Sequence, residues 1–572
     1  MKKRFSLALI AVLSICSIQP LVFSQQRSQS PVGSAGRPPS GSPGTSRRTS
    51  RGPSPKIPLI ERDFDEALRV IQENYVEGPK LDYNSVIKSS IIGMLRSLDP
   101  HSNYYDRDEY DELKTDQRSE YFGIGASIQN FIISEKADTF ITSTFHNSPA
   151  SKANLRFGDR IVAVDGVPMT GKASLDVRDK IRGPRGSSVK ITVERAADRR
   201  MQTVEIMRDT VPQPSVPDAY LLTPGVGYVD MTRGFNYTTT DELRDELETL
   251  HSKGATAIVL DLRNNPGGFL DQAIQVAEVF LPSGQLILTQ KGRNGLRDNV
   301  YKSRNRSADP VPLVILINES TASASEIVAG AMQDHDRALI VGETSFGKGL
   351  VQSIIPLDYG GGLTLTSAKY YTPSGRLIQR DYSDNGFYDY YTQGGSKRLD
   401  QKADELKPSG PEKKTDTGRK VYGGGGIAPD ETVTSRPITT AHRRLLSPMF
   451  AFSRELVNGR LPGFPQFRVE RGINFEKELQ PTDFPITDNV FKAFTEFVVH
   501  DPVFSTLSPL VARNRSFVEL QLRYNIVTAA YGRQMADRVL ITTDDPQVER
   551  SIAAMPRAKD LAMAATRRQV QP

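Results

Sequence analysis

Cysteine is all but missing from this chain: Cys16 stands alone among 572 residues. It falls within an N-terminal stretch expected to be removed, so no disulfide, no thiolate nucleophile and no cysteine metal site is expected. The fold must be held by cores alone. Histidine is scarce as well, with six in all: His101, His146, His251, His335, His442 and His500. Long apolar runs are also lacking at the N-terminus, where Leu7 to Cys16 falls short of the roughly 20 residues that span a bilayer. Ser14, Ser17, Gln19 and Pro20 interrupt it. A fourth absence is hidden by the overall charge. The 73 Lys+Arg against 67 Asp+Glu give +6, but residues 1–56 carry nine of the positive charges and no acid. Setting those nine aside leaves 64 against 67, a net of −3 for residues 57–572. The body is therefore not basic, and nucleic acid is not an expected partner.

What is present begins with an export signal. Lys2, Lys3 and Arg4 precede the apolar run, and Val22-Phe23-Ser24 offers a cleavage site, so residues 1–24 read as a secretory signal peptide. Retention as an anchor is the alternative. Ile15 stands where a lipoprotein site would need a small residue. Residues 25–56 are rich in Ser, Gly, Pro and Arg and cannot bury a core, which makes them a disordered basic tether. Their charge allows a loose peripheral association with an anionic membrane surface. The expected location is the periplasm or another extracytoplasmic space. Length predicts three or four folded units, with no repeat to suggest a solenoid.

Residues 57–118 read as an N-terminal helical region. Phe64, Ala67, Leu68, Val70, Ile71 and Tyr75 recur at helical spacing, as do Val86, Ile87, Ile91, Ile92, Met94 and Leu95, with Gly78-Pro79 between them. From residue 119 to 209 the period becomes that of strands, at 139–142, 160–164 and 189–193, around one helical segment at 174–182. The loop Gly123-Ile124-Gly125-Ala126, running into Ser127-Ile128, is followed by Ser148-Pro149-Ala150, Gly158-Asp159-Arg160-Ile161 and Val164-Asp165-Gly166. These residues resemble a PDZ domain. In such a loop glycines turn successive N–H groups towards an anion, and the edge strand can pair with an extended peptide, which suits a free C-terminal carboxylate. Gly123 to Ile128 are the candidate peptide-binding residues.

Residues 210–435 alternate strands and helices, the pattern of an α/β core. Expected strands at 225–232, 257–263, 311–317 and 337–341 are separated by helices capped near Thr240, running from Leu270 to Phe280, and beginning near Ser323. Two strands end in polar turns. Asn264-Asn265-Pro266-Gly267-Gly268 offers backbone amides at Gly267 and Gly268. Ser320, Thr321, Ser323 and Ser325 place hydroxyls at a helix start, where unpaired N–H groups favour a developing negative charge. Either turn alone is ordinary. Together they can supply a nucleophile and an oxyanion hole. No histidine is positioned to act as base, since His335 lies three helical turns from Ser323. Lys348 between Gly347 and Gly349 is the better base if burial by Phe346, Leu350 and Val351 brings its pKa down from about 10.4. Gln352, four residues on, can orient the amine without recharging it.

Thr-Ala-Ser-Ala-Ser-Glu-Ile-Val-Ala-Gly-Ala from Thr321, Phe-Gly-Lys-Gly-Leu-Val-Gln from Phe346, Asp-Leu-Arg-Asn-Asn-Pro-Gly-Gly from Asp261, and Tyr-Tyr-Thr-Pro-Ser-Gly-Arg from Tyr370 resemble the carboxyl-terminal processing proteases. These are exported or thylakoid-lumen serine endopeptidases of the S41 (tail-specific) type. The resemblance spans roughly residues 60–435. It implies a crotonase/ClpP-like α/β core with an embedded PDZ domain, Ser323 as nucleophile, Lys348 as general base and Gln352 as its orienter. It also implies an oxyanion hole from Ala324 with Gly267 or Gly268, and protein substrates with free apolar tails. Neither cofactor nor metal is implied. Thr321 stands where the family often has serine. An insertion at about 380–422, rich in tyrosine at its start, reads as a surface loop. Residues 436–572 read as mostly helical, a packing or oligomerisation element that leaves a homo-oligomer open. Gly342 to Gly349 nearly spells a phosphate-binding loop but fails at Gly349, where a hydroxyl is needed. The competing reading is a catalytically inactive PDZ scaffold on a protease fold.

Overall fold

Two apolar helical stripes broken by Gly78-Pro79 become α1 (Ile57–Asn74) and α2 (Tyr83–Arg96), with Asp82 capping α2 through the Asn84 N–H at 3.1 Å. The computed structural model describes residues 57–117, 120–134, 136–383, 390–391, 410–469 and 472–570. The expected signal peptide and linker lie outside these, as does most of the 380–422 insertion. Residues up to Asp99 form one unit and those from Pro100 a second. In the first unit α1 leaves Leu59, Ile60, Phe64, Val70 and Ile71 exposed. No helix among the described residues is long and apolar enough to cross a membrane.

The second unit opens with β1 (Asn103–Tyr105) and α3 (Arg107–Gln117). Its first large sheet comes from the stretch of short strands: β2 (Glu120–Gly123), β3 (Ala126–Ile132), β4 (Ala137–Thr144), β5 (Arg160–Val164), β6 (Val167–Pro168), β7 (Ser188–Glu194), β8 (Met201–Met207) and β9 (Asp209–Pro212). The sheet order is β3-β4-β5-β7-β8 with β6 on β5, while β2 pairs with β9. α4 (Pro149–Lys152) and α5 (Ser174–Ile181) complete this domain. Ile141, Ile161, Val164, Val177, Val189 and Ile191 form its core. β3 is an edge strand of that order.

The second large sheet has the order β10-β11-β12-β15-β16-β21, from β10 (Asp218–Thr223), β11 (Val226–Asp230), β12 (Ala257–Asp261), β15 (Leu313–Ile317), β16 (Ala338–Gly342) and β21 (Glu431–Thr432). All pairs but the first are parallel. Strands buried on both faces need no alternation, which explains the unbroken Ala257-Ile-Val-Leu and Leu313-Val-Ile-Leu-Ile runs. One face carries α6 (Thr239–Ser252), α7 (Leu270–Phe280) and α8 (Ala324–Asp334). A smaller sheet of β13 (Leu286–Gly292), β14 (Asn299–Lys302), β17 (Leu350–Pro356) and β18 (Gly362–Tyr371) joins β1 through β18. β19 (Glu412–Lys414) and β20 (Lys420–Tyr422) form a hairpin.

The C-terminal residues supply α9 (Thr440–Val457), α10 (Asp488–His500), α11 (Ser508–Arg513), α12 (Arg515–Tyr531), α13 (Arg533–Thr543), α14 (Pro546–Ala553) and α15 (Met555–Val570). Val548, Met555 and Ala558 of the last two, with Ala554 between them, cover the other face of the parallel sheet against Val259, Val314, Leu316 and Leu339. α9 instead faces the first domain. Phe450 stacks on Phe131 at 3.8 Å and 3°, and Phe140 and Phe157 join the same core. The buried Arg454 donates to the Gly158 carbonyl at 2.6 Å.

Three expectations are corrected. Thr240 does not cap its helix: α6 starts at Thr239, and the Thr240 hydroxyl donates to Gln272 Oε1 at 2.7 Å. Within the C-terminal stretch, Ser516 to Arg538 reads in the sequence as one helical segment, and it is two, because Gly532 adopts φ 87° and turns the chain between α12 and α13. The 380–422 stretch is not all surface loop: Tyr390 is 1 % exposed, and 412–422 builds the β19–β20 hairpin.

Candidate active site

β15 ends at Ile317, and α8 begins seven residues later with Ser323 at its N-cap. Ser323 adopts φ 55° and ψ −115°, a region L-residues seldom occupy outside tight, functional turns. The turn is held from several sides. The buried Thr321 hydroxyl donates to the Leu262 carbonyl at 2.8 Å, and the Ala322 N–H donates to the Asn265 carbonyl at 2.9 Å. Asn318 and Asn264 exchange a pair of hydrogen bonds at 2.8 and 2.9 Å. Serine turn and Gly-Gly turn are thus one assembly.

Gly267 shows why no side chain is tolerated there. A Cβ on it would lie 2.7 Å from the Ala322 carbonyl oxygen and 2.8 Å from both Ala324 N and Ser323 Cβ. Its φ of 95° is a second reason for glycine. Its amide, however, is not free as expected: the Gly267 N–H donates to Asn265 Oδ1 at 2.9 Å. The Gly268 and Ala324 N–H groups have no hydrogen-bond partner among the described residues. Two unpartnered amides beside a half-buried serine can stabilise an oxyanion.

Lys348 lies in the segment between β16 and β17, half-buried, and what brings it to Ser323 is a residue missed in the sequence. Glu326, on the first turn of α8, is wholly buried. Its Oε2 accepts the Ser323 N–H at 2.8 Å and the Lys348 N–H at 2.8 Å. Its Oε1 accepts from Ser345 Oγ at 2.6 Å and the Gly347 N–H at 2.7 Å. Four donors and no acceptor describe an ionised carboxylate. Burial pushes its pKa up, and the four hydrogen bonds oppose that. The buried Tyr370 hydroxyl spans the same gap, bonding the Ser323 carbonyl at 3.0 Å and the Lys348 carbonyl. The Phe346 N–H donates to the Thr321 carbonyl at 2.9 Å. The signal available in the sequence was the Ser-x-x-Glu spacing of a capping box.

Gln352 lies on β17 next to a bulge, and its Nε2 donates to Thr366 Oγ1 at 3.2 Å. Its carbonyl is the end that can accept from an amine. Each histidine has partners of its own. His101 bonds Tyr390 at 2.7 Å, His146 stacks on Phe475, and His251 pairs with Asp309. His335 bonds Asp416 and the Leu286 carbonyl, His442 stacks on Phe517, and His500 bonds the Glu496 carbonyl.

The expected peptide-binding residues form the end of β2, a two-residue turn and the start of β3. Gly125 has φ 71°. The turn's carbonyls are tied off: Ile124 O accepts from Ala150 N at 2.7 Å, and Gly125 O from Ser148 Oγ at 2.9 Å and Phe145 N at 3.0 Å. The Ile124 and Gly125 N–H groups have no partner among the described residues, the disposition an anion requires. At the far end of β3, the Ile132 N–H donates to Ser447 Oγ at 3.2 Å.

Two stretches of the chain resemble known families. Residues 225–384 match the model of peptidase family S41, and residues 142–195 match a PDZ domain. The chain is 37 % identical over 322 residues to the carboxy-terminal-processing protease of Bartonella bacilliformis, covering 55 % of this chain and 72 % of that protein. It is 36 % identical over 309 residues to the carboxyl-terminal-processing protease of a Picosynechococcus species, covering 53 % and 73 %. It is 33 % identical over 318 residues to the carboxy-terminal processing protease CtpA of Bacillus subtilis, covering 55 % and 66 %. A PDZ domain, an α/β peptidase core and these relatives have one reading: the chain belongs to the carboxy-terminal-processing proteases, serine peptidases of family S41.

Proposed function

We propose that this is an exported serine endopeptidase in which the PDZ domain takes the free C-terminal carboxylate of an apolar tail and a Ser323–Lys348 dyad cleaves the chain. The observation that carries the reading is the shared acceptor Glu326 Oε2, which sets the Ser323 and Lys348 amides 2.8 Å from one oxygen. The neutral Lys348 amine takes the Ser323 Oγ proton as Oγ attacks the substrate carbonyl. The oxyanion forms between the Ala324 and Gly268 N–H groups. The Lys348 ammonium then gives its proton to the leaving amine, and the acyl-enzyme is hydrolysed by a water that Lys348 deprotonates. Gln352 orients the amine through its side-chain carbonyl.

Ser323→Ala and Lys348→Ala should each lower cleavage of a tailed substrate by about 10³-fold or more, with tail binding intact. The rate should rise with pH through an alkaline limb above about pH 7. Undiminished proteolysis in both variants, or a limb near 6 that survives in Glu326→Gln and so points to histidine, overturns the dyad. If tail binding persists but the unmodified chain cleaves nothing, the scaffold reading is favoured instead. A peptide with a free C-terminus should bind and its C-terminal amide should not. N-terminal sequencing of the exported protein tests removal of residues 1–24. Light scattering tests for the homo-oligomer suggested by the exposed apolar residues of α1, and vesicle sedimentation tests a peripheral role for residues 25–56.

A further inference from the structure

The lysine segment is held on its second side by residues with no part in the dyad. Gln379 Oε1 accepts the Gly349 N–H at 2.8 Å, and the Arg380 N–H donates to the Gly347 carbonyl at 2.8 Å. The two glycines flanking Lys348 are thus gripped by consecutive residues. Gly349 comes so close that a Cβ there would lie 2.9 Å from Gln379 N.

Gln379 is in turn fixed by the insertion. Tyr390 and Tyr391 are the only described residues between 383 and 410. The Tyr390 hydroxyl accepts from Gln379 Nε2 at 3.0 Å and lies 2.7 Å from His101 Nε2. A phenol that accepts from an amide still needs an acceptor for its own proton, and His101 Nε2 is the one beside it. Burial favours the protonated phenol. The ring packs edge-on to His101 at 5.4 Å and Phe346 at 5.7 Å, and Arg380 donates to the Tyr390 carbonyl at 3.3 Å while lying over Phe346 at 4.9 Å. The Tyr391 ring shares this cluster, against His101 at 5.9 Å and Tyr390 at 5.2 Å, but its hydroxyl donates to the Pro100 carbonyl at 2.6 Å and makes no bond to Gln379.

We infer that Tyr390 is a positioning residue for the general base: through Gln379 its hydroxyl fixes the Gly349 amide and so the path on which Lys348 stands. Without the hydroxyl, Gln379 Nε2 keeps only the Arg380 carbonyl at 2.8 Å, the contact with His101 Nε2 is lost, and the amide that holds Gly349 is free to turn. The inference rests on the Ser323–Lys348 reading, so its test has one arm that depends on activity and one that does not.

Tyr390→Phe keeps the ring and removes the hydroxyl; Tyr391→Phe is its control. Expected for Tyr390→Phe is a roughly tenfold fall in kcat with KM within about twofold and a displaced alkaline limb. Amide hydrogen exchange in the peptide spanning residues 346–351 should be about tenfold faster, with an unchanged melting temperature. Tyr391→Phe should leave kcat and the limb as they were. Unchanged exchange in Tyr390→Phe overturns the inference whatever the activity. So does faster exchange with an unaltered kcat and limb, or a loss confined to KM. Ser323→Ala run alongside separates the cases: if it still cleaves, the dyad itself is wrong and only the exchange arm speaks to Tyr390.

Discussion

Two positions at the residue scale make opposite demands on the site. Gly267 contributes by what it lacks. Gly267→Ala would put a methyl against Ala322 O, Ala324 N and Ser323 Cβ on a backbone of φ 95°. It should lower kcat by about 10²-fold or more while sparing tail binding, as initial rates and a binding isotherm would show. Glu326 contributes by its charge. Its pKa is raised by burial above the ordinary 4.5, so between the unfolded and folded values the native protein holds more of the proton. Stability should therefore fall as pH rises through that window. Activity should move the other way, because only the ionised carboxylate accepts all four donors. Urea melts and rates across pH 4–7 read the two slopes. In Glu326→Gln the stability slope of this group should vanish and kcat should drop by roughly 10–100-fold. Ser323 and Lys348 were nameable as candidates because each has a local signature, a hydroxyl at a helix start and a lysine between glycines. Glu326 was not, because what it holds lies 22 residues away along the chain, and its own neighbourhood resembles an ordinary cap.

Elements with a strong period were readable and those defined by distant partners were not. Leu270–Phe280 emerged at its expected bounds because its apolar stripe and flanking turns are local. The β1 strand was invisible: three residues cannot show a period, and its partner on β18 is some 260 residues away. Tyr390 was placed on a surface loop because tyrosine runs among Lys, Asp and Gly look solvated, whereas its ring is almost wholly buried. The element whose loss should be felt most widely is α9. Phe450 packs face to face on Phe131 and against Phe140 and Phe157, so Phe450→Ala should cost about 3–5 kcal/mol of stability in a denaturant titration. A cost under about 1 kcal/mol would mean that α9 only rests on the PDZ sheet.

For the whole molecule, the C-terminal helices join what the sequence suggested as separate modules. α9 completes a core with the PDZ sheet. α13 binds the peptidase sheet through Arg538, whose guanidinium holds Asp218 at 2.6 and 2.7 Å. α14 reaches the Gly-Gly turn through Asp545 and Gln547, both on Arg263 Nη1 at 2.7 and 2.9 Å. The tail was expected to serve packing or oligomerisation; its helices do pack within the chain, but no local pattern could say against what. Residues 120–212 produced alone should expose Phe131, Phe140 and Phe157 and melt well below the full chain. Adding residues 440–570 in trans should raise that melting temperature, as circular dichroism would record. The same arrangement bears on how the protein is made. Ile132 meets Ser447 across 315 residues of sequence, so the PDZ domain leaves the ribosome with an aromatic face whose partners on α9 arrive only with the last quarter of the chain. Closing so long a loop is slow. During that interval Phe131, Phe140 and Phe157 are open to any holding chaperone, and a chain interrupted before residue 440 would carry the protease core with that face still uncovered.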